Sequence, residues 1–231
     1  MTNEETAKQS RRVTAIIDAI GFNKRGLMQA ANYYGRQGMF HEREFAAAAS
    51  TGTAAHKMIE RHLLGQEQVD VDSDPFASQF ERDAVPLFGA WLEWFNRQAV
   101  VASHIERMLW CDLVSVRGTP DLIAKVNGIP SIVDWKFSSS TATKPEHWIQ
   151  QAAYHMLYEH MHSQGLIDGP PTLAQSVIVV CDRKTLKVKS HEKTHAELVP
   201  FRDMFFAALA VVDCAAACGM KLKTDEVEVD D

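Results

Sequence analysis

Apolar residues recur at helical spacing through much of the first hundred positions of this chain. Residues 12–34 are typical of a helix with an interruption near Gly21. Residues 42–64 continue the helical pattern, although Ser50 or Thr51 could cap a second helix inside this stretch. The pattern therefore predicts a run of helices at the start of the fold.

A further helix is predicted over residues 82–99, after a helix stop at Gly65 and a polar connection over residues 66–80. Large apolar side chains recur on it three or four positions apart, which places them in the core rather than in a ligand site. These side chains are Leu87, Trp91, Trp94 and Phe95. Residues 1–100 are therefore expected to form a mainly helical part.

Strand-like segments follow these helices. Three antiparallel strands are predicted, over residues 104–116, 119–126 and 130–137. The dipeptide Asn127-Gly128, between the second and third segments, is the strongest short signal for a two-residue hairpin turn. These two segments are therefore expected to pair as a β-hairpin.

Helix and strand patterns alternate in the rest of the chain. Pro145 favours the start of a helix that runs to about residue 163. Two strands at 175–182 and 186–192 and a helix at 196–218 complete the pattern. This order predicts an α/β fold in which a central mixed β-sheet is flanked by helices.

Composition narrows the class of protein. The chain has 231 residues, 46% of them hydrophobic, which is enough for a sizeable core. We find no apolar run of transmembrane length and no apolar centre of a signal peptide in "MTNEETAKQSRR", so we expect a cytoplasmic protein without a membrane partner. The net charge of −6 disfavours a dedicated non-specific nucleic-acid binder. It does not disfavour a metal-dependent enzyme, whose site is acidic by necessity.

The predicted hairpin carries an unusual set of charges. A two-residue turn pairs Val126 with Ile129, and the same register places Asp121 directly opposite Asp134. Strand alternation puts Lys136 on the same face. The other face is apolar and should pack on helices: Leu122, Ala124, Val126, Ile129, Val133, Trp135 and Phe137.

Two facing carboxylates repel each other unless a cation lies between them. Mg²⁺ and Mn²⁺ prefer such oxygen ligands, and a neighbouring lysine can orient a water or stabilise charge on a phosphate. The alternative is an exposed hairpin face with solvated charges. A bulge at Pro130, which cannot donate to the ladder, would also spoil the opposition of the two aspartates.

Several short motifs, in this order along the chain, resemble the PD-(D/E)xK nuclease superfamily. "GTPD" ends at Asp121, and "VDWK" contains Asp134 and Lys136. Gln150 and Tyr154 form the Q-x3-Y spacing of the RecB-type branch and lie on one face of a helix. The preceding stretch "GTAAHKMIE" and the opening "RVTAII" are most similar to small stand-alone exonucleases, including phage and mitochondrial genome-maintenance enzymes.

The resemblance implies a role for each matching residue. His56, Asp121, Asp134 and the backbone carbonyl of Trp135 would bind Mg²⁺ or Mn²⁺, and Lys136 would position the attacking water. Gln150 and Tyr154 would support the site and contact the DNA backbone. Glu106 is a further candidate, either through a metal-bound water or as an ordinary residue of the sheet face.

The cysteines do not match a metal site. Some RecB-type relatives carry an iron–sulfur cluster on one early and three late cysteines, and the four cysteines here lack that spacing. Only Cys214 and Cys218 are close in the chain, with no second pair to complete a zinc site. We predict no iron–sulfur cluster and expect buried free thiols.

The resemblance also implies an organisation and a function. Residues 1–231 would form one nuclease domain, with the catalytic sheet and Q-x3-Y helix at 101–192, a C-terminal helix at 193–218 and a solvated acidic tail at 219–231. We expect a deoxyribonuclease, an exonuclease acting on single-stranded or duplex DNA ends in repair, recombination or phage DNA processing, with recombination or replication proteins as partners. The alternatives are an endonuclease or flap nuclease of the same fold, or a non-catalytic DNA-binding accessory protein.

Overall fold

The structure, a computed structural model, describes residues 9–21, 24–68, 70–71 and 73–220. The helices are α1 (Val13–Ile20), α2 (Lys24–Arg36), α3 (His41–Leu63), α4 (Gln79–Phe95), α5 (Pro145–Ser163) and α6 (His195–Ala217). The strands are β1 (Arg11–Arg12), β2 (Val100–Ile105), β3 (Leu109–Cys111), β4 (Val116–Gly118), β5 (Leu122–Val126), β6 (Ile129–Ser138), β7 (Gln175–Asp182) and β8 (Val188–Thr194).

A mixed five-stranded sheet with the order β2-β5-β6-β7-β8 forms the centre of the fold. Its neighbours pair antiparallel except β6 and β7, which are parallel because α5 provides the crossover between them. A smaller sheet has the order β1-β4-β3. The predicted α/β class, with a central mixed sheet between helices, is confirmed.

The two faces of the central sheet pack on different helices. The predicted apolar hairpin face lies against α3 and α4, where the Trp135 ring centre is 5.4 Å from that of Trp91. Ile129 is an exception, because it adjoins the exposed turn and remains exposed itself. On the opposite face, Ile123 and Ile132 pack with α1, α5 and α6. The sheet edge that carries the charged residues therefore lies between two layers of helices.

The helical predictions hold, with one correction. Gly21 ends α1 in a left-handed conformation with φ of 58°, at the predicted interruption. Helix α3, however, runs without a break through the segment where Ser50 or Thr51 was expected to cap a new helix. Thr51 is buried, and the Thr53 hydroxyl donates to the Ala49 carbonyl at 3.1 Å, a bond within the helix.

The segment predicted as one strand over residues 104–116 is instead three short strands. β2 ends at Ile105, and β3 and β4 form a separate hairpin. Glu106 and Ser115 have left-handed φ values of 46° and 50°, which interrupt an extended chain on either side of β3. Sequence alternation alone did not show these two turns.

The cysteines are only partly as expected. Cys111 and Cys181 are buried, but Cys214 and Cys218 are exposed. These two lie off the buried face of α6, which Val212 and Ala215 continue. The expectation of four buried thiols was therefore wrong for this pair.

The predicted acidic tail lies outside the described residues from residue 221 onward. Within the described part of the chain, no helix combines the length and the apolar character needed to cross a membrane.

Candidate active site

Three carboxylate residues lie level with one another, two of them just beyond the ends of neighbouring strands and one within the next strand. The ladder pairs Ile105 with Leu122, and Leu122 with Val133. One step further along the same registers, Glu106 follows β2, Asp121 precedes β5 and Asp134 lies in β6. The Glu106 backbone N–H donates to the Asp121 carbonyl at 3.2 Å, which fixes the first two side by side.

A β-bulge sets the position of Glu106. Ala102 pairs with Ala124, but His104 pairs with Ile123, so Ser103 is an extra residue in β2. The Ser103 hydroxyl donates to the Ile123 carbonyl at 2.8 Å. In a ladder without the bulge, Ser103 would pair with Ile123, and Ile105 rather than Glu106 would come opposite Asp121.

His56, Glu106 and Asp121 form a cluster suited to a cation. Their ligand atoms all lie within 4.8 Å of one another. His56 Nδ1 is 3.4 Å from Asp121 Oδ1, and the other carboxylate oxygen accepts the backbone N–H of Trp135 at 2.6 Å. One imidazole and two carboxylates are suitable donors for a divalent metal ion. This donor set fits the group that the sequence predicts.

The cluster opens into a cavity of about 510 Å³. Helix α3 contributes His56, Lys57 and Glu60 to its wall, and the sheet contributes Asp121, Trp135 and Lys136. The cavity therefore joins the cation cluster to the lysine of the "VDWK" motif. Sequence reasoning did not select Lys57, which has no motif match.

The other predicted residues form a chain of polar contacts beside this cluster. Asp134 is only 2% exposed and makes an ion pair with Lys136, with Oδ2 to Nζ at 2.6 Å. Lys136 Nζ donates to Gln150 Oε1 at 3.3 Å, and Gln150 Nε2 donates to the Tyr154 hydroxyl at 2.7 Å. Among the residues described, the cluster within 4.8 Å includes Glu106 and not Asp134. The structure thus divides the predicted residues into a cation cluster and a lysine chain.

The site holds its carboxyl groups in different states. Burial opposes ionisation of Asp121, but His56, Lys136 and the Trp135 N–H outweigh it, so its pKa is lowered. Burial is the main cause that raises the pKa of Asp134 to about 6, with Asp121 adding repulsion and Lys136 opposing the shift. Desolvation and the charge of Asp121 raise the pKa of Glu106 to about 7, although much of the residue's surface is exposed. Without a metal, Glu106 therefore tends to keep a proton near neutral pH, whereas Asp121 stays ionised.

The basic groups respond in the opposite way. Burial lowers the pKa of Lys136, but the charges of Asp134 and Asp121 outweigh it, and the net pKa is raised. The pKa of His56 is likewise raised, because Asp121 overcomes its desolvation. Lys136 is therefore held as an ammonium that donates hydrogen bonds.

Tyr154 is fixed by close packing. Its side chain is 3% exposed, and burial together with the charge of Asp134 raises its pKa, so the phenol stays neutral. A Cβ at Gly118 would overlap the Tyr154 ring. Gly118 therefore leaves the space that Tyr154 fills beside the Gln150 amide.

Solved structures of similar fold include a protein from Eubacterium rectale named "putative exonuclease". It has a TM-score of 0.57 and 14% sequence identity, and the match covers 100% of this chain and 91% of that one. LHK-Exo in complex with dAMP matches with a TM-score of 0.36 and 11% identity, covering 94% of this chain and 99% of that chain.

No curated protein matches this chain in sequence. The model of the PD-(D/E)XK nuclease superfamily, however, matches residues 29–217, which is most of the chain. The protein therefore belongs to the PD-(D/E)XK nuclease superfamily.

Proposed function

We propose that this nuclease is a deoxyribonuclease that uses Mg²⁺ or Mn²⁺ and degrades DNA from its ends. The observation that carries the proposal is the cluster of His56, Glu106 and Asp121 next to the 2.6 Å ion pair of Asp134 and Lys136. A cation site and a protonated lysine in one cavity can together stabilise charge on the phosphate and position an attacking water for phosphodiester hydrolysis.

The cation site would be built from side chains of helix α3 and of the adjoining sheet. His56 from α3, with Glu106 and Asp121 from the sheet, would hold the ion, and Asp134 and the Trp135 carbonyl remain predicted ligands from the family resemblance. Nucleases of this superfamily use divalent metals. When bound, the ion would polarise the scissile phosphate and offset its developing charge.

Lys136 would position the attacking water through its ammonium group. Its proton is retained because Asp134 and Asp121 raise its pKa, so Lys136 acts as a donor rather than a base. The same ammonium can stabilise negative charge on a phosphate oxygen. Gln150 would hold the lysine side chain in place, and Tyr154 would support Gln150. Both residues would contact the DNA backbone.

The similarity of the motifs to RecB-type stand-alone exonucleases motivates the proposed exonuclease mode. It also motivates a role in DNA repair, recombination or phage DNA processing. The fold similarity to the Eubacterium rectale protein fits the same proposal. An exonuclease needs a free DNA end, whereas an endonuclease or flap nuclease recognises an internal site or a junction.

The experiment compares end-labelled linear DNA with closed circular DNA of the same sequence, with Mn²⁺ and with chelator. We expect mononucleotides or short products from linear DNA only, and none without metal. Asp134→Ala and Lys136→Ala should each lose about 10²-fold or more in rate. Lys125→Ala, at the far end of the hairpin, is the matched control and should cut normally.

Cleavage of the circular substrate would contradict the exonuclease mode but would still show nuclease activity. Wild-type rates in both Asp134→Ala and Lys136→Ala would overturn the assignment of the site itself.

A further inference from the structure

A second cavity adjoins the candidate active site. Its volume is about 540 Å³, and it lies between α3, the segment that follows α3 and the start of α4. Ala49, Thr53 and Lys57 line both cavities. We call this second cavity the side groove, and the shared wall places it next to the cavity of the cation cluster.

Helix α3 separates the two cavities with two adjacent stripes of residues. Gly52, His56 and Glu60, four apart, line the active-site cavity. Thr53, Lys57 and Arg61, each one position further along, line the side groove. An extended ligand that crosses α3 from His56 would therefore contact Lys57 and then Arg61.

The side groove carries two exposed cations. Within the described residues, neither Lys57 nor Arg61 makes an ion pair. Glu81 lies close enough to feel both charges. Its carboxylate, however, already accepts the Ser78 backbone N–H at 2.7 Å and the Ser78 hydroxyl at 2.8 Å. In a protein with a net charge of −6, this groove suits a polyanion.

The outer wall of the groove is held by one arginine. Arg82 donates to the carbonyls of Val71, Asp74 and Ala77 at 3.4, 3.3 and 3.1 Å. Phe80, two residues before it, lines the groove and leaves 40% of its surface exposed. An exposed aromatic ring beside two cations is the combination used to bind single-stranded nucleic acids.

We propose that the side groove is the path of a single DNA strand to or from the cation cluster. Thr53, Lys57 and Arg61 would contact successive phosphates, and Phe80 would stack on a base. A single strand fits better than a duplex, because stacking in a duplex covers the base faces that Phe80 would need. The inference rests on the proposed function of the neighbouring site and adds the route of its substrate.

The first test measures binding without cleavage. Fluorescence anisotropy of a labelled oligothymidine is recorded in EDTA over a range of salt concentrations. Lys57→Gln/Arg61→Gln should lower the slope of log K against log salt by about 1.4, since each lost phosphate contact on a single strand contributes about 0.7. Phe80→Ala should weaken binding about 5- to 150-fold, and Phe80→Trp should bind like wild type. Lys125→Gln, a charge removed elsewhere, should leave the slope nearly unchanged.

A second test needs no variant and so does not depend on the folding of Phe80→Ala. An oligonucleotide containing 5-iododeoxyuridine is photocrosslinked to the wild-type protein, and the modified peptide is mapped. We expect attachment at Phe80. Crosslinks found only outside the groove would overturn the proposed path. So would duplex DNA that competes for the protein as well as a single strand does, or wild-type slopes and affinities in the groove variants.

The two proposals fail separately. If the wild-type protein cuts DNA but Lys57→Gln/Arg61→Gln and Phe80→Ala bind DNA normally, the proposed nuclease site stands and the proposed role of the groove is wrong. A protein that loses binding in these variants but cuts no DNA with metal keeps the groove and loses the proposed activity.

Discussion

Glu106 lies beside Asp121 because β2 contains one residue more than its partner strand. The Glu106 N–H donates to the Asp121 carbonyl at 3.2 Å, and the extra residue is Ser103. Since successive strand residues face opposite sides of a sheet, one residue decides whether a carboxylate or Ile105 meets Asp121. The bulge is therefore part of the candidate cation site.

Glu106→Ala should weaken metal binding by about tenfold or more, whereas deleting Ser103 should weaken it much less. The deletion removes the bulge, but His104 then follows Ala102 directly and still pairs with Ile123, so Glu106 stays opposite Asp121. Isothermal titration with Mn²⁺ measures the effect. Ser103→Ala keeps the chain length, losing only the bond to Ile123, and should bind Mn²⁺ nearly as wild type. A deletion variant that loses Mn²⁺ affinity as strongly as Glu106→Ala would contradict the register that places Glu106 opposite Asp121.

In metal-free protein, Asp134 should contribute stability that is lost as pH rises from about 4 to about 6. The native pKa of Asp134 is raised to about 6 from 3.8, so the native state holds this proton more tightly than the unfolded chain does. The stabilising contribution is complete below 3.8 and is lost as pH rises through about 6. About two pKa units correspond to roughly 3 kcal/mol. The raised pKa values of Glu106 and His56 act in the same direction.

Urea unfolding in EDTA at several pH values measures this dependence. Asp134→Asn cannot titrate, so the unfolding free energy of wild type minus that of Asp134→Asn should fall across this interval. This difference separates Asp134 from His147 and His155, whose lowered pKa values make stability rise with pH. A difference that stays constant or rises would contradict the raised pKa of Asp134.

Gly118→Ala should destabilise the protein by about 1–3 kcal/mol and reduce cleavage, because the new methyl group overlaps the Tyr154 ring. Thermal unfolding and the rate on labelled DNA give the two measurements. Gly89→Ala is the matched control. It lies within α4 with open space around its Cα, so alanine should stabilise it by up to about 1 kcal/mol. Equal effects at the two positions would rule out a special role for the Gly118 gap.

Tyr154→Phe should lower the cleavage rate about fivefold with little loss of structure, because Gln150 loses the hydroxyl that accepts its amide proton. Circular dichroism checks the fold, and the single-turnover rate checks the chemistry. Tyr158→Phe removes a similar bond, to the Pro170 carbonyl, at another point of α5. If both variants cut at the same reduced rate, the effect belongs to helix stability and not to the lysine chain.

The parts of the fold that depend on local signals were predictable from sequence. Asn127-Gly128 fixed the register of β5 and β6, which continues through Pro130 without a bulge. Pro145 marks the start of α5, and Gly21 the end of α1. Each of these residues restricts its own backbone, so a single sequence carries the information.

The features that depend on contacts with another strand or side chain were not predictable from sequence. The extra residue at Ser103 has a meaning only relative to β5, and it is what brings Glu106 level with Asp121. The ion pair between Asp134 and Lys136 likewise depends on how two side chains two residues apart fill a buried space. The motifs therefore predicted the candidate residues, while their grouping into a cation cluster and a lysine chain needed the three-dimensional structure.

The central claim is that His56, Glu106 and Asp121 hold the catalytic cation. Anomalous diffraction at the manganese edge, from crystals grown with Mn²⁺, tests it most directly. We predict a peak about 2.0–2.3 Å from an imidazole nitrogen of His56 and from carboxylate oxygens of Glu106 and Asp121. Absence of a peak in this cavity, or a peak that Glu106 and Asp121 do not contact, would contradict the account.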